Sequence, residues 1–447
     1  MTVPTDPTCA GVWEFPPVES VHLDNGVRVV TCQRDDQDVI TIEWLIHAPL
    51  WSEPDPVRGV AGITLSAIFE GADERSALGF IEAIEGCGAT VSTGVEHLGL
   101  RITVQVPGPY LAKVVRLVRG ALAGPPFPPS TIDRLVRARL DAALRERTSP
   151  ERRMSTALHT ALFGPGHRLS QPAHGEPDTV RAIDRAAVAA FHAERFRPGS
   201  TTVVLVGDLR AHDAVRIVRR ACGDWDGPGP AGVPELPGSV ADGPGVVLID
   251  RPGAVQSRLV LGRAAPGRSH PGWDPLLIGN RCLGGSTSSR LNRVLRQSSG
   301  ATYGFVSTLL PLPGRSIAVA RGAVAAEATG PSIRAVLDVL HQVRRDGFTD
   351  EEHRLAVAQV VTAAPLRYQT STAVADEISR LLLDGTTLDR LPGSFAQAAG
   401  VTAPEAAEAV AAAFAPERLF IVAAGDRAVL QDQFGGLGPT TVLDLRH

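Results

Sequence analysis

"DRAAVAAFHAERFRPGSTTVVLVGDL", Asp184 to Leu209, decides the fold because the chain writes it twice. An Ala-rich amphipathic helix, a turn and an apolar strand close in Gly207-Asp208. "APEAAEAVAAAFAPERLFIVAAGDR", Ala403 to Arg427, repeats that order and closes in Gly425-Asp426, about 218 positions later. So long a period suits a duplicated domain and not a solenoid. The beginnings match as well. "VITIEWLIHAP", Val39 to Pro49, reads as a strand, then a loop and a helix Val57–Glu70; "SRLVLGRAAP", Ser257 to Pro266, reads as a strand, then a loop and the helix "GWDPLLIGNRCLGG".

Between the two copies, Gly223 to Gly245 is rich in Gly and Pro and reads as a flexible linker. Within the first copy, Ala72–Glu85 reads as a helix stopped by Gly86. "PYLAKVVRLVRGALAG" puts Leu111, Val114, Val115, Val118 and Leu122 on one face, and Ser130 can cap a helix from Thr131 to about Arg147. Strands clustered with helices packed mainly on one face give an α+β fold. The expected units are residues 18–222, a linker 223–245, and residues 246–435.

Composition excludes several classes of function. The 447 residues carry a net charge of -4 and no basic run, so nucleic acid is not an expected partner. No stretch has the roughly 18 consecutive apolar residues of a membrane span, and the first twenty residues lack the pattern of a secretory signal. The cysteines, Cys9, Cys32, Cys87, Cys222 and Cys282, form no CxxC pair and read as reduced thiols of a cytoplasmic protein.

Six stretches occur in a telling order: "LDNGVRVV", "GVAGITLSAIFEGAD", "IEAIEGCGATVSTG", "FGPGHRLSQPAHGEPDTVRAI", "VVLVGDL" and "LGGSTSSRLNRVLRQSSGATYGF". From about Val21 to Arg427 the chain resembles the pitrilysin/insulinase zinc peptidases, the inverzincins, a group that includes the mitochondrial processing peptidase. The resemblance implies a helix carrying H-x-x-E-H, with two histidines and a distant glutamate on zinc and the inner glutamate activating water. Here the first histidine position is Gly62, the glutamate Leu65, the second histidine Ser66, and the distant ligand falls on Ala142 beside Asp141. Glycine, leucine and alanine offer no donor atom, so neither a metal nor catalysis by this chain alone is expected. His159, His167, His174 and His192 are irregularly spaced and read as surface or capping residues.

In the heterodimeric branch of that family, one chain keeps the motif. The other loses it but keeps an Arg and a Tyr seven positions apart. Arg296 and Tyr303 match that pair. A phenol O–H can donate to the oxyanion of peptide hydrolysis, and a guanidinium can grip a carbonyl or carboxylate. Gly284 and Gly285 read as a helix-ending turn. Thr90, Val91, Ser92 and Thr93 match the family's edge strand, which either holds peptide by backbone pairing or is only sheet.

The resemblance therefore implies a non-catalytic, peptide-binding subunit that pairs with a homologous H-x-x-E-H chain and has no cofactor of its own, the zinc lying in that partner. A structural scaffold and a stand-alone peptide-binding module are the rival expectations.

Overall fold

The structure is a computed structural model that describes residues 13–444 except 36, 71–76, 148, 211, 228–239, 242, 299–301, 303 and 313. Two six-stranded sheets organise it. The first holds β1 (Val18–His22), β2 (Arg28–Gln33), β3 (Val39–Ile46), β4 (Thr90–Glu96), β5 (Gly99–Pro107) and β6 (Thr201–Gly207) in the order β1-β2-β6-β3-β5-β4. The second holds β7 (Gly245–Asp250), β8 (Gln256–Pro266), β9 (Phe305–Leu312), β10 (Arg315–Ala325), β11 (Phe420–Gly425) and β12 (Thr440–Asp444) in the order β12-β7-β11-β8-β10-β9.

The duplication is visible strand by strand. β2 pairs parallel with β6 as β7 does with β11, and β3, β5 and β4 pair antiparallel as β8, β10 and β9 do. The sheets differ at one edge: β1 runs antiparallel to β2, whereas β12 runs parallel to β7.

The first half contributes helices α1 (Val60–Ala67), α2 (Leu111–Ala123), α3 (Pro129–Arg147), α4 (Pro150–Phe163) and α5 (Arg185–Arg195). Their counterparts are α6 (Trp273–Leu283), α7 (Thr329–Asp346), α8 (Asp350–Val361), α9 (Ser371–Leu383) and α10 (Ala403–Ala413). The helix expected from Val57 starts later, at Val60. Gly59 adopts the left-handed backbone (φ 99°), which ends a short turn at Asp55–Val57 before α1 can begin.

One face of each sheet carries helices of its own half. Val203 and Leu205 of β6 and Ile42 and Trp44 of β3 join α1, α2, α3 and α5 in the first core, as period-two alternation dictates. The opposite face is covered by a helix exchanged from the other half. Val204 and Val206 of β6 and Leu45 of β3 pack on Val374, Ala375, Ile378 and Leu382 of α9. Reciprocally, Met154, Leu158 and Leu162 of α4 pack on Ile317, Val319 and Val422 of the second sheet. The approach is close: a Cβ at Gly262 on β8 would lie 2.9 Å from Leu158 Cδ2. Thr41 and Gln105 of the first sheet hydrogen-bond Thr372 of α9 at 3.1 and 2.8 Å.

Most of the expected linker lies outside the described residues. Its flanks are docked: Trp225 is buried in the first core, and the Ala241 N–H donates to the Leu162 carbonyl at 2.7 Å. Cys32, Cys87, Cys222 and Cys282 are buried free thiols, while Cys9 lies outside the described residues. Among the described residues, no helix is long and apolar enough to cross a membrane.

Candidate functional site

The entrance to α1 is built by a buried ion pair. Glu53 Oε1 accepts from the Gly59 and Ala61 N–H groups at 3.0 and 2.9 Å, tying off donors at the start of the helix. Its other oxygen accepts from Arg168 at 2.6 Å, and both side chains are almost wholly buried. Burial pushes the Glu53 carboxyl up from its ordinary range, with Arg168 and the two N–H groups pulling against it. Arg168 also donates to the carbonyls of Leu50, Pro172 and Ala173, which fixes the loop 172–176 against α1. That loop meets the chain backbone to backbone: a Cβ on Gly59 would stand 2.5 Å from the His174 carbonyl oxygen.

Within this frame lie three of the four positions that the resemblance assigns to the zinc motif. Gly62, Leu65 and Ser66 share a pocket of about 520 Å³ with Thr93 and Gly94 of β4 and with Ala138 and Arg139 of α3. Ala142, the distant ligand position, is not among the lining; α3 presents the turn before it. The Ser66 hydroxyl donates back to the Gly62 carbonyl at 3.0 Å, and Leu65 is buried in the core. The His174 ring fills the space above the glycine, with Nδ1 3.1 Å from where a Gly62 Cβ would be.

These residues do not fit zinc. His174 and the hydroxyls of Ser66 and Thr93 are the metal-donor side chains in the lining, and Arg139 brings positive charge to the wall. Among the described residues, no group of three or more His, Cys, Asp or Glu converges as a metal ion would require. Burial, then the charge of Arg139, holds the His174 imidazole below its ordinary pKa. Arg139 is held by a bidentate pair to Glu146 at 3.0 and 2.8 Å, and this pairing draws the Glu146 carboxyl down. Leu65, at the position the resemblance gives to the water-activating glutamate, has no group that can take a proton from water.

The other histidines are more structural than their spacing suggests. His167 caps the next turn by accepting from the Leu169 N–H at 3.1 Å, as a capping residue should. His192 is buried and bonded to the Leu122 carbonyl at 2.9 Å, and His159 is half-buried and bonds the Leu169 carbonyl at 2.7 Å.

β4 is the edge strand of the first sheet. Thr90, Ser92 and Thr93 are exposed and Val91 half-buried, so one row of backbone groups lacks a partner strand.

Arg296 lies in a π-helical turn, Arg293–Ser298, with its side chain exposed. Tyr303 lies outside the described residues, so the distance between this pair is not part of the geometry. What the structure does place is the support of that loop. Arg290 and Arg293 both bind Glu352, and Asn292 Oδ1 accepts from the Phe305 N–H at 2.9 Å. Gly284 ends α6 and has no room for a side chain, because a Cβ there would meet Ser307 N at 2.6 Å.

Sequence reasoning missed Glu53, Arg168 and Arg139. Arg168 and His174 stood inside a recognised stretch, yet charge and spacing carry no signal of burial.

Comparison with known proteins agrees with this picture. Residues 182–360 match the family described as the peptidase M16 inactive domain. An uncharacterized zinc protease of Mycobacterium tuberculosis is 26% identical over 365 residues, covering 80% of this chain and 82% of the relative. One from Streptomyces coelicolor is 23% identical over 371 residues, covering 81% and 80%. The fold is that of the peptidase M16 inactive domain crystal structure from Pseudomonas fluorescens (TM-score 0.83, 20% identity, 92% of this chain and 98% of that one). A protease from Helicobacter pylori superposes equally well (TM-score 0.84, 16% identity, 92% and 100%). The chain is thus similar over most of its length to proteins named as zinc proteases, and its residues 182–360 match the peptidase M16 inactive domain.

Proposed function

We propose that this chain is the non-catalytic, substrate-binding subunit of a heterodimeric zinc metallopeptidase that cleaves peptides or precursor leaders. The observation that carries the reading is a kept frame around lost chemistry. Glu53 and Arg168 still hold α1 and its facing loop in place. Gly62, Leu65 and Ser66 at the pocket wall hold neither a ligand set nor a base.

In this reading the partner is a homologous chain with H-x-x-E-H, and the zinc is the partner's. Arg296 and Tyr303 would reach the partner's active site, the guanidinium gripping the peptide and the phenol donating to the oxyanion. The exposed edge at Thr90, Val91, Ser92 and Thr93 offers a peptide backbone pairing that is indifferent to its side chains.

The deciding experiment mixes this chain with the H-x-x-E-H homologue. A one-to-one complex by light scattering is expected. In it, Tyr303→Phe should lower kcat and kcat/KM together by about a hundredfold with zinc content unchanged, and Arg296→Ala should raise KM. Separate species in solution would end the pairing idea. Wild-type kinetics in both variants would leave a scaffold, and peptide binding without a partner would leave a stand-alone module.

A further inference from the structure

The internal duplication gives the empty pocket a counterpart. In the first half it lies between α1 and α3; in the second, a cavity of about 460 Å³ lies between α6 and α8. Its polar lining is Arg281, Ser286, Gln359 and Arg367, and its apolar lining includes Leu277 and Val360. Among the described residues, no carboxylate lines it.

Arg281 is undercompensated: it donates to the Gly285 carbonyl at 2.8 Å, and among the described residues no carboxylate pairs with it. Gly285 is required for that contact, since a Cβ there would press on Arg281 Cα and Cδ at 3.0 Å each. Arg367 binds Glu377 at 3.0 Å, a carboxylate it shares with Arg268 at 3.1 Å and Arg380 at 2.9 Å, which have second acids in Asp384 and Asp376. On the far side of Arg281 an adjoining pocket of about 150 Å³ does contain acids. There Glu352 is committed to Arg290 and Arg293, and Glu351 stands exposed at the start of α8. Burial and the nearby Arg367 both draw the Arg281 pKa down, as expected of a cation lacking its counter-ion.

We propose that this cavity binds a carboxylate attached to a small apolar group, of the kind a peptide presents at its C-terminus, with Arg281 and Arg367 on the anion and Leu277 and Val360 against the apolar part. Guanidinium forks match the two oxygens of a carboxylate. The cavity volume falls in the range of small-ligand sites, and its apolar floor is of the usual kind. The site is complete within one chain, so it stands or falls independently of the heterodimer.

Isothermal titration of the isolated full chain tests it. The probes are N-acetyl-Ala-Ala-Leu as the free acid, the same peptide as its C-terminal amide, and inorganic phosphate. The free acid should bind at least about tenfold more tightly than the amide or phosphate, since a charge-assisted pair is worth more than one tenfold step. Arg281→Gln should abolish that preference, with Arg281→Lys intermediate and the unfolding midpoint unchanged. Equal binding of acid and amide by the wild-type chain, or no binding of either, overturns the proposal without reliance on any variant. Tighter binding of phosphate than of the acid overturns it in favour of a phosphate site. Retention of the acid preference by Arg281→Gln also overturns it.

Discussion

The imidazole of His174 stands over Gly62, its Nδ1 3.1 Å from the position a Cβ would take. The space over α1 at this position is thus held by a side chain from the facing loop. That loop is itself fixed by the buried Glu53–Arg168 pair. A larger side chain at position 62 is therefore opposed by packing as well as absent from the sequence.

Restoring the letters of the motif should not restore the metal. The triple variant Gly62→His, Leu65→Glu, Ser66→His spells H-x-x-E-H, but a side chain at position 62 presses on the His174 ring, and Arg139 lines the wall. No carboxylate stands on α3 where the lining shows Ala138. Elemental analysis after dialysis should find far less than one zinc per chain; a stoichiometric zinc would refute this.

Glu53→Gln should destabilise the protein by about 3–5 kcal/mol, because it leaves the Arg168 guanidinium buried without its counter-charge. Asp55→Asn is the control. Asp55 pairs with Arg58 at 2.6 Å but is largely exposed, so its loss should cost about 0–1 kcal/mol. Urea unfolding of both variants decides; similar small effects would show that the buried pair is not what anchors the loop.

Stability should fall in mild acid through His97. Burial, with His159 and Arg168 adding positive charge, pushes its imidazole down to about 4. The unfolded chain takes up the proton near its ordinary value of about 6.5. The stabilising contribution is thus full above about pH 6.5 and is lost as the pH falls towards 4, by roughly 3 kcal/mol at most. Unfolding midpoints between pH 7.5 and 4.5 should decline in the wild type and decline less in His97→Gln. An identical slope in the variant would remove His97 from the account.

The two halves should not fold apart. Residues 13–227 alone would expose Leu45, Val204 and Val206 where α9 belongs, and residues 240–447 alone would expose Val319 and Val422 where α4 belongs. Each fragment should aggregate when made alone, and co-expression should yield one soluble complex. A monomeric fragment with a sharp unfolding transition would show that the exchanged helices are dispensable.

Much of this was legible in the letters. The repeat of "VVLVGDL" by "FIVAAGD" marked the duplication, and period-two and period-3.6 patterns marked the strands and helices, because such patterns report a local choice of face. The absence of ligands at Gly62 and Leu65 was equally plain, since a side chain without donor atoms cannot bind metal in any fold. Three things were decided only in tertiary structure. Arg168 is one charge among many until its burial beside Glu53 is seen, and Arg281 is one arginine among many until its place in the cavity between α6 and α8 is seen. The exchange of α4 and α9 was hidden for the same reason: an amphipathic helix states which of its faces is apolar but not which sheet will cover it. That choice belongs to contacts between residues more than a hundred positions apart, such as Leu158 with Gly262.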